Sequence, residues 1–307
     1  MSDSISYLVA RSGSMDPDDS PYGYVPTRST AIIFVVLFGI TALLHTGQAI
    51  AHRIWWLLPT VCLGAVVEVL GWSGRLWSSF SPTLSNPFMI QITSTILAPT
   101  PFVAANFIIL GLIIRRLGPG YSRISPKWYT IIFCSADVIS LLVQGAGGGI
   151  ASSATNEDRA TANLGSKIML AGIIFQMVMI TIYSILAFEF FLRYIYGRPV
   201  RSVPEPVDDY TGATRGYADN RLVLMSAGLV LSTLCLYVRA IYRTIELADG
   251  WTGRIITTEI YFNILDGAMV LIAMYSLNVA HPGRLLRPTP SRHDVEKRVA
   301  SSEQSLT

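Results

Sequence analysis

Charged side chains are scarce in this chain of 307 residues: Asp, Glu, Lys and Arg make up 14% of it, against about 25% in ordinary soluble domains. Much else is missing. No Gly-Lys-Ser/Thr follows the single glycine run, which excludes a phosphate-cradling loop. The four histidines show no His-Glu-X-X-His or other metal-ligand spacing, and no nucleophile–base–metal constellation is visible. The three cysteines, Cys62, Cys134 and Cys235, lie far apart in apolar stretches, so they read as small apolar packing residues rather than a disulfide framework. No Asn-X-Ser/Thr acceptor occurs in any connection. The opening 28 residues are acidic and lack an apolar centre; no cleaved leader is expected, and the first apolar stretch is expected to serve as the targeting signal.

What the chain has in abundance is apolar length. Hydrophobic residues reach 51% and collect near Ser29–Ala51, Trp55–Leu76, Phe88–Ile114, Trp128–Ile150, Leu164–Phe191, Leu222–Ile245 and Thr257–Ala280. Each stretch meets the roughly 20 apolar residues that a membrane crossing needs. The fold class that follows is all-α: a polytopic integral membrane bundle of seven transmembrane helices. Residues 1–28 form an extracellular N-terminal segment, 29–282 the helical domain and 283–307 a polar, basic, disordered cytoplasmic tail. No connection is long enough for a folded soluble domain, and there is no internal repeat.

The net charge of +3 says little, but its distribution says more. With the N-terminus outside, the inner side receives Arg53, then Arg115, Arg116, Arg123 and Lys127, then five arginines from Arg193 to Arg221, then five basic residues of the tail. The outer side receives Arg11, Arg28, Arg75, Arg159, Lys167 and Arg254. Fifteen inner residues against six outer ones orient the chain N-terminus outside and C-terminus cytoplasmic by the positive-inside rule.

Charges inside the spans are the informative minority, since an ionised residue at the centre of a span costs about 2.5–3.5 kcal/mol. Helical spacing gathers them on single faces: Asp137, Ser140 and Gln144 in the fourth span, Arg239, Arg243 and Glu246 in the sixth, Glu259, Asn263 and Asp266 in the seventh. Glu68 in the second span and Gln176 in the fifth add to them. At 1.5 Å rise per residue, Asp137 and Asp266 fall near mid-membrane, Glu68, Gln144 and Glu259 in the outer half, and Arg239 and Arg243 near the outer boundary. Two readings stand side by side: a structural salt-bridge network joining spans two, four, six and seven, and a polar cavity open toward the outer leaflet. A network that lines a cavity satisfies both.

Pro99 and Pro101 are expected to bend the third span. The run Gly145, Gly147, Gly148 and Gly149 is expected to unwind the fourth or admit close backbone approach. Trp55, Trp56, Trp72, Trp77, Trp128 and Trp251 flank spans and read as interfacial anchors. His45, His52 and His281 are expected to make interface hydrogen bonds.

Several of these residues stand in a familiar order. Tyr22-Gly23-Tyr24-Val25-Pro26 precedes the first span; Glu68, Gly71 and Arg75 follow; then Leu97-Ala98-Pro99 with Ala104-Ala105, Asp137 with Gln144 and Gly147-Gly148-Gly149, Gly172 with Gln176, Arg239, Tyr242-Arg243 with Glu246 and Gly250, Glu259, Asp266 and His281-Pro282-Gly283. From Tyr22 to Gly283 the chain resembles the fungal lipid-translocating exporter family, which includes aminocholesterol-resistance and sphingoid long-chain-base resistance proteins and a protoporphyrin-uptake relative. It departs at Trp72, where Tyr is more usual, and at Asn106, near a common Tyr. The resemblance implies a seven-span plasma-membrane protein that moves amphipathic lipids and is associated with resistance to toxic lipids or drugs.

The function expected is ATP-independent translocation or export of amphipathic lipids such as sphingoid bases. Glu68, Asp137, Gln144, Gln176, Arg239, Arg243, Glu259 and Asp266 form the expected binding or translocation path. The carboxylates receive an ammonium headgroup or carry protons, and the arginines pair with them when the site is empty. The alternative is a seven-span lipid sensor signalling through the basic inner loops. A membrane-embedded enzyme lacks its constellation. Neither cofactor nor nucleic acid is implied; the partners are membrane lipids and the lipid substrate.

Overall fold

The computed structural model describes residues 20–153, 159–201, 218–250 and 253–286, and every regular element among them is helical. Among the described residues seven helices are long and apolar enough to cross a membrane: spans 1 to 7 run Arg28–His52, Trp55–Ser78, Ser85–Leu117, Pro126–Ala151, Ala160–Ile195, Asn220–Asp249 and Glu259–Leu285. This is a multi-pass membrane protein. Its outward faces suit lipid rather than water, with Leu43, Leu142, Phe188 and Val279 among the large apolar side chains left exposed. With seven spans the two ends of the bundle are distinct, and they are called here the Tyr22 end and the His281 end.

Consecutive spans pack side by side, and span 1 closes against span 7. Span 3 touches spans 2, 4, 5 and 6 and is the most buried of the seven, so the bundle is built around it. The prolines leave a mark there: the helix Ser85–Leu97 is interrupted at Ala98, whose backbone stays in the αR region, and resumes as Pro99–Leu117. Span 2 opens with a 3₁₀ turn, Trp55–Leu57, and a π turn, Leu58–Cys62, around Pro59. Span 7 contains a second π segment, Phe262–Ala268. Span 6 is capped at its start by Asp219, whose Oδ1 accepts from Leu222 N at 2.9 Å.

The glycine run stays helical to Ser153, so of the two expectations it is close approach that holds. A Cβ on Gly147 would lie 2.5 Å from Met169 N, and one on Gly165 of span 5 would lie 2.4 Å from Ala151 N. Small residues thus bring the backbones of spans 4 and 5 together, the usual device where lipid offers no hydrophobic drive to pack. Trp72 is not an interfacial anchor. It is fully buried, stacked on Phe34 with ring centroids 4.0 Å apart. Trp55, Trp77 and Trp128 are exposed as anchors should be, and Trp251 lies outside the described residues, as does the tail from residue 287.

Candidate functional site

Asp266 is the centre of a buried ion network. It sits in the π segment of span 7, a helical irregularity common at functional positions, and is fully buried. Its Oδ1 accepts from Arg239 Nε at 2.8 Å and from Arg243 Nε at 3.0 Å, and its Oδ2 accepts from Arg243 Nη2 at 2.8 Å. The two arginines are four positions apart, which puts both guanidiniums on one face of span 6. Arg243 Nη1 also donates to Glu246 Oε2 at 2.8 Å, and Tyr242 OH donates to Glu246 Oε1 at 2.7 Å. Two cations therefore meet two carboxylates. By helical rise the arginines were expected nearer the membrane boundary than Asp266; direct contact places all three at one depth.

Span 3 completes the network for a reason written in its sequence. Pro99 has no N–H, so the Thr95 carbonyl four residues earlier lacks its helical donor. Arg239 Nη2 takes that place at 2.6 Å, and Arg243 Nη2 donates to Thr95 Oγ1 at 2.9 Å. Glu68 of span 2 is within electrostatic reach of Asp266, Arg239 and Arg243. Among the described residues neither of its buried oxygens has a hydrogen-bond partner.

A second group faces a cavity of about 30 Å³ between spans 3, 4, 5 and 6, lined by Asp137, Gln144, Gln176, Arg239, Arg243 and Pro99 among others. At roughly 10–15 Å³ per water on this measure, it is water-sized. Asp137 is buried, and its Oδ2 has no partner among the described residues. Among the described residues no arginine pairs with Asp137: Asp266, Glu246 and Thr95 take Nε, Nη1 and Nη2 of Arg243, and Asp266 and Thr95 take Nε and Nη2 of Arg239. Around the carboxylate a chain of neutral groups is closed: Ser140 Oγ donates to Gly172 O at 2.6 Å, and Gln144 Nε2 donates to Ser140 Oγ at 2.7 Å and Gln176 Oε1 at 3.1 Å. Gln176 Nε2 in turn donates to Thr100 Oγ1 at 3.2 Å. Gln144 and Ile96 also line a larger apolar groove of about 500 Å³ between spans 3, 4 and 5.

Glu259 belongs elsewhere. At the Tyr22 end its carboxylate accepts from Arg75 Nη2 at 3.1 Å, from Thr27 N at 2.9 Å and from Thr27 Oγ1 at 2.7 Å. Arg75, expected in an outer connection, is buried. Its Nη2 also donates to Tyr24 OH at 2.8 Å, and its guanidinium carbon is 4.6 Å from the Phe262 ring centroid. Arg243 lies 5.2 Å from the same ring, so Phe262 joins the two ion clusters by cation–π contact. Tyr22 hydrogen-bonds Ser78 through its hydroxyl at 3.0 Å, which lashes residues 20–27 over the ends of spans 2 and 7. Burial pushes the Tyr22 phenol up to about 12, with the Ser78 bond and Arg75 pulling the other way, and burial likewise raises Tyr24.

Of the eight expected site residues, Arg239, Arg243 and Asp266 bond directly with Glu68 beside them. Asp137, Gln144 and Gln176 share the cavity wall with the two arginines, and Glu259 stands apart. Arg75, Thr95, Tyr242, Glu246 and Phe262 escaped the site list. Glu246 carried a signal, since it continues the Arg239–Arg243 stripe. For Thr95 the signal was Pro99 four residues on. Among the described residues no group of three or more His, Cys, Asp or Glu comes together as metal ligands would.

Residues 61–289 match the family described as RTA1 like protein. The chain belongs to this RTA1-like family. Among curated proteins of Saccharomyces cerevisiae, it is similar to the sphingoid long-chain base transporter RSB1, 29% identical over 280 residues that cover 85% of this chain and 73% of that protein. It is also similar to protein RTA1, 27% identical over 286 residues (85% and 84% covered), and to protoporphyrin uptake protein 1, 24% identical over 293 residues (84% and 90% covered). No solved structure matches. The RTA1-like match spans the whole ion network and the Asp137 cavity, and two of these relatives carry names of transport proteins rather than enzymes.

Proposed function

We propose that this RTA1-like protein translocates or exports lipids with a cationic headgroup, sphingoid long-chain bases foremost, across the plasma membrane without ATP and with its Tyr22 end outside. The observation that carries this reading is Asp137: a carboxylate within the membrane, lining a cavity with two arginines and two glutamines, with an oxygen that nothing among the described residues satisfies. An unsatisfied anion there is costly, and an ammonium group is the ligand that removes the cost. Arg239 and Arg243 line the same cavity, and Asp266 and Glu246 balance their charge, so they leave the attraction of Asp137 for a cation unquenched. Gln144 and Gln176 supply neutral groups for the headgroup's remaining hydrogen bonds. The similarity to a sphingoid base transporter supports the substrate class, and the excess of Arg and Lys on one side supports the orientation.

Liposomes containing the purified full chain test this. Asp137→Asn is expected to abolish flux of a long-chain amine while leaving the protein folded. Undiminished flux through a folded Asp137→Asn protein overturns the reading.

A further inference from the structure

We propose that the groove between spans 3, 4 and 5 is the tail-binding site and lateral portal for a single-chain amine, and that Gln144 and Ile96 form the movable partition between tail and headgroup. This deepens the transport reading and rests on it.

The cavity and the groove are neighbours, because both are lined by Gln144 and Ile96. The cavity is water-sized at about 30 Å³, whereas the groove, at about 500 Å³, falls in the range of small-molecule pockets, roughly 300–1,000 Å³. Met89 and Leu97, which line the groove, are exposed on the outward face of span 3. A ligand with a cationic end and one hydrocarbon chain fits the pair of spaces; a purely polar or purely apolar one fits only half.

The glycine run shows how the groove is kept wide. A Cβ on Gly145 or Gly149 would meet nothing within 4 Å, and one on Gly148 would meet only Met169 Sδ at 3.7 Å. These three glycines line the groove, where an added Cβ would point into open space or reach only Met169. Gly147 is the contrast, since its missing Cβ leaves room for the backbone of span 5. One run thus serves packing on one face and open space on the other.

The occupant follows from energetics. Membrane lipid chains are as apolar as the groove, so the groove by itself selects nothing. Selection comes from the unsatisfied carboxylate behind the partition, which favours a chain ending in a cation. The partition is held by two neutral side-chain bonds from Gln144, to Ser140 and Gln176, which are weaker than the charge-assisted bonds on the arginine side. Rotation of Gln144 joins the two spaces and leaves the ion network in place.

The test places a reporter in the groove. In the full chain with Cys62, Cys134 and Cys235 replaced by Ala, Gly149→Cys is alkylated by a lipid-soluble maleimide in liposomes. Octadecylamine is expected to protect the thiol, octadecyl sulfate is not, and Asp137→Asn is expected to abolish the protection. Equal protection by both compounds, or by neither, overturns the portal. Gly145→Leu in the native-cysteine chain is the second arm: a normal melting temperature with long-chain amine flux lost is expected, and undiminished flux overturns the proposal. If Asp137→Asn abolishes flux while Gly145→Leu does not, only the portal falls; if Asp137→Asn leaves flux intact, the transport reading falls with it.

Discussion

Neutralising Asp266 and neutralising Asp137 should change stability in opposite senses, although both are buried aspartates in the middle of spans. Asp266 accepts three charge-assisted bonds from two arginines, each worth about 1.5–3 kcal/mol. In Asp266→Ala Arg243 keeps Glu246 and Thr95, whereas Arg239 loses its one bonded carboxylate and keeps only the Thr95 carbonyl, with Glu68 near but not bonded to it, which leaves its charge without a direct partner. Breaking a buried pair in this way costs about 3–5 kcal/mol, a fall in melting temperature of roughly 6–20 °C. Asp137→Asn removes a charge whose Oδ2 has no partner, so its melting temperature should stay level or rise. The chain carries its own reporters, because Cys62 and Cys235 are buried and Cys134 half-buried. A thiol-reactive dye whose fluorescence appears on unfolding reads the transition in detergent. A double variant, Asp266→Ala with Arg239→Leu, should recover part of the loss, since it removes the uncompensated charge. Equal destabilisation by Asp266→Ala and Asp137→Asn would refute the division of the interior into a structural network and a free carboxylate.

Gly165→Ala should lower stability by about 1–3 kcal/mol, as overpacking does, because the new methyl would meet the backbone of Ala151; the same dye assay measures it, and a neutral result would contradict the close approach of spans 4 and 5. Phe262→Ala should cost about 3–5 kcal/mol, and Phe262→Leu should recover the burial but not the cation–π contacts to Arg75 and Arg243, leaving a deficit that a melting comparison of the two variants reads. Tyr22 sets a pH dependence at the Tyr22 end. Its phenol is raised by burial from 10 to about 12, so the protonated form is favoured when residues 20–27 are docked. The stabilisation is fully present below pH 10 and is lost as pH rises toward 12. Protection of these residues from hydrogen exchange, relative to the base-catalysed intrinsic rate, should fall across that window in the native chain and fall less in Tyr22→Phe.

The seven spans and the helix interruption before Pro99 were legible from composition and residue type, because membrane length and a missing proline N–H are local constraints. The stripes on spans 4, 6 and 7 were legible too, since helical periodicity alone decides which residues share a face. Partners across the bundle were not. Nothing local distinguishes Asp266, claimed by two arginines, from Asp137, left free; that choice depends on which span faces which, and on span 3 offering Thr95 to the arginines. Arg75 and Trp72 lie where span ends usually meet the interface, and only residues 20–27 folding over them and Phe34 packing beside them make them interior. The glycine run could be read as unwinding or as contact, and the neighbouring glycine on span 5 decided it. Periodicity settles the face of each helix; the partner it meets is a relation between distant parts of the chain, and only packing creates it.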